Sequence, residues 1–148
     1  VRKVTEGKDL AGVTVFETIY QPGYIEAILY AEGKEFGKYR VETASDELEL
    51  RICEENGEWG DVRFFEVCLT DRNGGLKTDC DRKITVSVEG EGVLQGFGSA
   101  LMTSTENFTQ GEYTTFYGRA QLAVRPVGRG KIIVKAETDG TETLKKTF

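Results

Sequence analysis

The 148-residue chain contains no histidine. That absence removes the commonest general base, the commonest zinc ligand and every Ser-His-Asp or Cys-His arrangement. Cysteine is scarce: Cys53, Cys68 and Cys80 are an odd number with no metal-ligand spacing. They read as free thiols in a reducing or disulfide-indifferent setting. No run approaches the roughly 20 apolar residues that span a membrane. No signal peptide is read at the start, where Val1-Arg2-Lys3-Val4-Thr5-Glu6 has no apolar run behind it. Position 1 is not Met, which suits a piece of a longer protein. Basic residues are outnumbered, 19 Lys and Arg against 25 Asp and Glu, for a net charge of −6. They also alternate with acids instead of clustering, so neither nucleic acid nor a membrane is an expected partner.

Helical periodicity is nearly absent as well. What remains is the all-β pattern of short alternating runs bounded by Gly, Asn and Asp. Three strands are predicted first, at about 12–20, 24–30 and 35–43. One face of this meander carries Phe16, Tyr20, Ile25, Ala27, Leu29, Tyr39 and Val41, and the other carries Glu26, Lys38, Arg40 and Glu42. Such a meander needs a second layer, and nothing in residues 1–44 supplies one. It is therefore expected to be the end of a truncated upstream sandwich. Its apolar face is expected to pair with a second copy in a homo-oligomer, exchange strands or stay poorly ordered.

Residues 45–148 form a separate predicted domain. Seven strands are expected, at 47–54, 62–71, 83–89, 93–97, 117–125, 131–137 and 141–147. Inward positions follow from alternation: Leu48, Leu50 and Ile52; Phe65, Val67 and Leu69; Ile84, Val86 and Val88; Ala120, Leu122 and Val124; Ile132, Val134 and Ala136. Seven short strands in about a hundred residues match an immunoglobulin-like β-sandwich. Each fully buried aliphatic side chain contributes about 1.5–3 kcal/mol, enough in sum to offset chain entropy. The same alternation puts Cys53 and Cys68 on the outer face and Cys80 in a loop, so no disulfide bridges the two sheets and at least one thiol is accessible.

Candidate chemistry is sparse. Gly90-Glu91-Gly92 and Gly96-Phe97-Gly98 lack the helix that a dinucleotide loop requires, and read as tight turns or bulges. The densest acidic groups are Glu54-Glu55, Glu89 with Glu91, and Asp79 with Asp81. All lie at strand ends or turns, where solvation is the ordinary state, and no pair reads as catalytic. Asp79, Asp81, Glu89 and Glu91 offer oxygen ligands for Ca²⁺ but no ordered loop motif. Trp59, Tyr113, Phe116 and Tyr117 read first as packing at the domain edge; the other reading is an aromatic platform for a sugar, with Trp59 and Tyr113 as the candidate weak contacts. Asn107-Phe108-Thr109 matches the glycosylation triplet, though Phe108 reads as a pin for the long loop. Arg119 is expected in a structural salt bridge.

An ordered set of segments carries more information. It comprises Val67-Cys68-Leu69-Thr70-Asp71 with Asn73-Gly74, Val86-Ser87-Val88-Glu89-Gly90, Gly96-Phe97-Gly98-Ser99-Ala100, Glu106-Asn107-Phe108, Tyr117-Gly118-Arg119-Ala120, and Gly130-Lys131-Ile132-Ile133-Val134-Lys135-Ala136. Together they resemble the C-terminal immunoglobulin-like domain of bacterial β-galactosidases of glycoside hydrolase family 2, from about residue 45 to 148. Tyr20-Gln21-Pro22-Gly23, the strand after it and Thr43-Ala44 resemble the end of the preceding domain. The resemblance implies a parent enzyme that hydrolyses terminal β-galactosides, or a related β-glycoside, by the retaining two-carboxylate route. In that family both carboxylates sit in a (β/α)₈ barrel upstream, so no catalytic, cofactor or metal residue is carried over. The implied partners are the upstream domains. The implied role is non-catalytic: bracing the barrel, contributing oligomer contacts or shaping access. Two other classes remain open, a bacterial surface spacer or adhesin module and a carbohydrate-binding module.

Overall fold

The structure, a computed structural model, describes residues 18–57 and 60–148. The chain separates into two compact units, the first ending at Thr43 and the second running from Ala44 to Phe148. The described part of the first unit is a hairpin of β1 (Tyr24–Ala31) and β2 (Lys34–Glu42). Its two-residue turn places Glu32 at φ 50° and Gly33 at φ 76°. Two left-handed residues give the turn whose twist matches that of the strands it joins. Ile25 pairs with Val41 and Ala27 with Tyr39. That register puts the expected apolar residues on one face. Both Ile25 and Val41 are exposed there, at 69% and 55%. On the other face the Arg40 guanidinium stacks 3.6 Å from the Tyr24 ring centroid. Most of the strand expected at 12–20, Phe16 included, lies outside the described residues, and 18–20 are not in a strand.

The second unit is a sandwich of two four-stranded antiparallel sheets. One has the order β3 (Glu49–Glu54), β4 (Arg63–Thr70), β8 (Arg119–Pro126), β6 (Gly92–Gly98). The other runs β10 (Leu144–Thr147), β9 (Ile132–Glu137), β5 (Lys83–Gly90), β7 (Glu112–Thr114). Setting β7 aside, these are the ABED and GFC sheets of an immunoglobulin-like fold. Alternation identified the core because each strand buries one face. Ile52, Phe65, Val67, Leu69, Ile84, Val86, Ala120, Leu122, Val124, Ile132, Val134 and Ala136 are all buried. Leu48, Leu50 and Val88 pack half-buried against them.

Two core aromatics escaped the pattern. Phe97 follows a bulge at Gln95, where the pairing jumps from Leu94↔Val124 to Gly96↔Ala123. The extra residue returns Phe97 to the inner face opposite Leu122. Tyr113 sits on β7, whose three residues are too short to show alternation. It pairs with Ile84 and is buried.

Asp71 ties the start of this unit to the turn after β4. Its carboxylate accepts amide hydrogens from Ser45 at 2.9 Å and Gly75 at 2.6 Å. Lys77 reinforces the join by donating to the Ser45 carbonyl at 2.6 Å. The amide bonds from Ser45 and then Gly75 hold the Asp71 carboxyl below its ordinary range. A depressed folded-state pKa gives stability that is present above the unfolded value, about 3.9, and is lost as pH falls through the folded value. Asp71→Asn is therefore expected to lower the urea midpoint at neutral pH, with the gap to the parent protein narrowing as pH falls below the unfolded value and through the folded one. A gap of constant size across that range would show that the charge is not what stabilises the join.

Candidate functional site

The structure disperses most of the expected chemistry. Tyr113, one of the two candidate sugar contacts, is only 7% exposed, so its ring belongs to the core. Trp59, the other, lies outside the described residues. Asp79 and Asp81 precede β5 while Glu89 and Glu91 lie at its far end, so the strand itself holds the two pairs apart. Among the described residues no three acids and cysteines converge as metal ligands would. The acids have local structural partners instead. Glu54 receives Nε and a terminal nitrogen of Arg63 at 2.6 and 2.7 Å, and that pairing lowers its pKa. Glu89 joins Lys135 and Lys145, which likewise hold its carboxyl down. At Glu106, burial pushes the pKa up, but hydrogen bonds from Thr114 and Ser104 outweigh it, and the net shift is downward. This last carboxylate anchors the β6–β7 connection to β7. Asn107 accepts from the Thr109 amide and hydroxyl at 2.9 and 2.8 Å, a local turn.

An open cleft of about 690 Å³ does form over the outer face of β4, β8 and β6. The bulge and the register put Gly96, Gly98, Gln121 and Ala123 on this face, which gives a floor with little side-chain relief. Polar groups lie along it. Arg119 forms a close ion pair with Glu66, and the Gln121 amide donates to Glu55 at 2.8 Å. The expected structural salt bridge of Arg119 is thus present, with a strand neighbour across the sheet.

Aromatic rings form the walls. Phe108 contributes one from the β6–β7 connection; its carbonyl accepts from the Phe97 amide at 2.7 Å, while its ring is 62% exposed. Phe108 thus fastens this loop through its backbone and through its side chain, which packs over Gly96 and Gly98 as the expected pin. Phe116 and Tyr117 supply the other rings, with centroids 4.4 Å apart. They belong to a tight turn closed by reciprocal bonds between Phe116 and Arg119, at 2.9 and 3.2 Å. Tyr117 and Gly118 are both left-handed there, at φ 51° and 69°. For a large side chain that conformation is an outlier. Three bonds impose it: Gly118 donates to Asp81 at 2.9 Å and accepts from Leu69 at 2.8 Å, and the Thr115 hydroxyl reaches Asp81 at 3.2 Å. Tyr117 is left 59% exposed. Sequence reasoning singled out Phe116 and Tyr117 as surface aromatics. It missed their connection to Gly96 and Gly98, because Tyr-Gly is not among the pairs that signal a two-residue turn.

All three cysteines are free: Cys53 exposed, Cys80 half-buried, Cys68 buried. Cys68 lies on the expected face but is covered there. It does point outward, but it lies opposite Arg119 and beside Glu66, which cover it. Burial first, and then Glu66, pushes its thiol up to about 12. Cys53 is therefore expected to react with a maleimide in the native protein, and Cys68 only after unfolding. Counting labelled thiols by mass spectrometry with and without denaturant checks this; labelling of Cys68 in the native state would contradict the burial.

Comparison with known proteins bears on this architecture directly. The family model for the glycoside hydrolase family 2 C-terminal domain 5 matches residues 53–147. The chain belongs to that family. This family 2 chain is 26% identical over 139 residues to the β-galactosidase BoGH2A of Bacteroides ovatus, covering 90% of this chain and 16% of that protein. Among solved structures it resembles a family 2 glycosyl hydrolase from Bacteroides cellulosilyticus, with a TM-score of 0.80 and 26% identity over 89% of this chain and 19% of that one. A β-glycosidase from Bacteroides vulgatus shares the fold at TM-score 0.75 and 20% identity, over 86% of this chain and 17% of its own. The chain thus spans under a fifth of the length of these relatives.

Proposed function

We infer that this chain is the C-terminal accessory part of a larger family 2 glycosidase that hydrolyses terminal β-galactosides. It acts there as a structural sandwich and supplies no catalytic group. The observation that carries the reading is the match to a family 2 C-terminal domain model across residues 53–147, in a chain that corresponds to 16% of a β-galactosidase. The side chains agree with it. Histidine is absent, and Glu54, Glu66, Glu89 and Glu106 are engaged in ion pairs or hydrogen bonds that hold strands and loops together. Upstream domains of the parent are its partners. The exposed apolar face of β1 and β2 suits either such a domain or a second copy of the chain.

Removing residues 44–148 from the parent enzyme tests this role. The truncated enzyme is expected to lose thermal stability or change oligomeric state, because an interface is lost. It should still cleave a chromogenic β-galactoside with retention. The isolated chain should show no turnover. Turnover by the pure chain that disappears when one of its own acids is replaced would overturn the reading.

A further inference from the structure

We propose that the cleft over β4, β8 and β6 is a saccharide-binding site, in which a sugar ring packs against Tyr117 and Phe108. The inference rests on the cleft itself and not on the accessory role. Its volume of about 690 Å³ falls in the range of small-molecule sites, roughly 300–1,000 Å³. Gly96 and Gly98 carry no side chain, and Phe108 packs into the room this leaves, its Cδ2 3.5 Å from where a Cβ on Gly96 would stand, so its ring is seated as a wall of the cleft.

The walls and the floor suit the two sides of a pyranose. Its aligned C–H groups carry partial positive charge, and the face of an aromatic ring carries the complementary negative charge. Its hydroxyls both donate and accept. Glu66 and Glu55 are acceptors, Arg119 and the Gln121 amide donors, and all four line the cleft. Hydroxyls can join such pairs without leaving a charge unpaired. An apolar protein ridge seated on the same floor would strip water from these groups and return no hydrogen bonds, which is costly.

Tyr117 supplies an independent reason. The Phe116–Arg119 turn needs two left-handed residues, a geometry suited to Asn-Gly. A tyrosine in the first of those positions is strained, and its ring is 59% exposed, so the core gains little from it. Strain of this kind is concentrated at ligand clamps. Here it aims a large ring over the cleft.

The test is a titration of the isotope-labelled chain with lactose, a β-galacto-oligosaccharide and a cello-oligosaccharide, followed by amide NMR. At least one sugar is expected to shift the amides of Gly96, Gly98 and Arg119 saturably. Tyr117→Asn should weaken that binding about tenfold or more while leaving the thermal midpoint equal or higher, since Asn suits the turn. Phe108→Ala, on a separate segment, should weaken it in the same direction, and Tyr117→Phe should keep it. No saturable shift of those amides with any of the three sugars would overturn the proposal, as would binding that survives both Tyr117→Asn and Phe108→Ala. Shifts of the same amides on raising protein concentration alone would assign the cleft to a protein surface instead.

Discussion

Phe65→Ala is expected to cost about 3–5 kcal/mol, a large part of the stability of a domain this size. Phe65 is fully buried near the start of β4, and its neighbour across the sandwich is Phe148, with ring centroids 4.6 Å apart at 56°. Phe148 is itself held by two backbone bonds to Ile132, at 2.8 and 3.0 Å. Truncating Phe65 therefore removes transfer energy, leaves a cavity between two sheets that cannot close and strips a tilted ring pair. Urea unfolding at constant pH reads the loss as a drop in midpoint. Phe65→Leu, which keeps most of the volume, should cost much less. A double-mutant cycle with Phe148→Ala should show a coupling of about 0.5–1.5 kcal/mol. A loss under about 1 kcal/mol for Phe65→Ala would mean that the sheets re-close over the gap.

The second large effect comes from a residue that buries no side chain. A Cβ added at Gly118 would stand 2.4 Å from the Lys77 carbonyl oxygen, at a φ of 69°. Gly118→Val must then both strain a left-handed β-branched residue and displace the backbone at Lys77. The expected cost is about 2–4 kcal/mol, the conformational penalty plus the backbone shift. Thermal melting measures it. The substitution should also loosen the turn that presents Tyr117, because the amide of Gly118 donates to Asp81 and its carbonyl accepts from Leu69. Tyr117→Asn, one residue away in the same turn, should have the opposite sign. A Gly118→Val protein as stable as its parent would show that the 77–81 loop yields freely.

The sandwich was legible in the chain because strand alternation is a local property. Phe65, Val67 and Leu69, or Ile132, Val134 and Ala136, declare a buried face without reference to anything across the core. The hairpin face of Ile25 and Val41 was legible for the same reason. Membership of a family 2 domain could be suspected from ordered turn segments such as Asn73-Gly74 and Tyr117-Gly118-Arg119, since turns demand particular residues.

Whatever depended on a partner distant in sequence was left to the tertiary structure. Phe97 faces inward only because a bulge at Gln95 shifts the register. Tyr113 reads as a surface aromatic until β7 pairs with β5 and buries it. Cys68 follows the alternation correctly yet is buried, because Arg119, 51 positions later, lies opposite it. The cleft has the same origin. Gly96, Gly98, Phe108, Tyr117 and Glu66 come from two strands, a loop and a turn, and only the β4–β8–β6 pairing brings them together. One-strand periodicity reports which face is apolar; the identity of the side chains that meet over that face is set by register and sheet order, which are non-local.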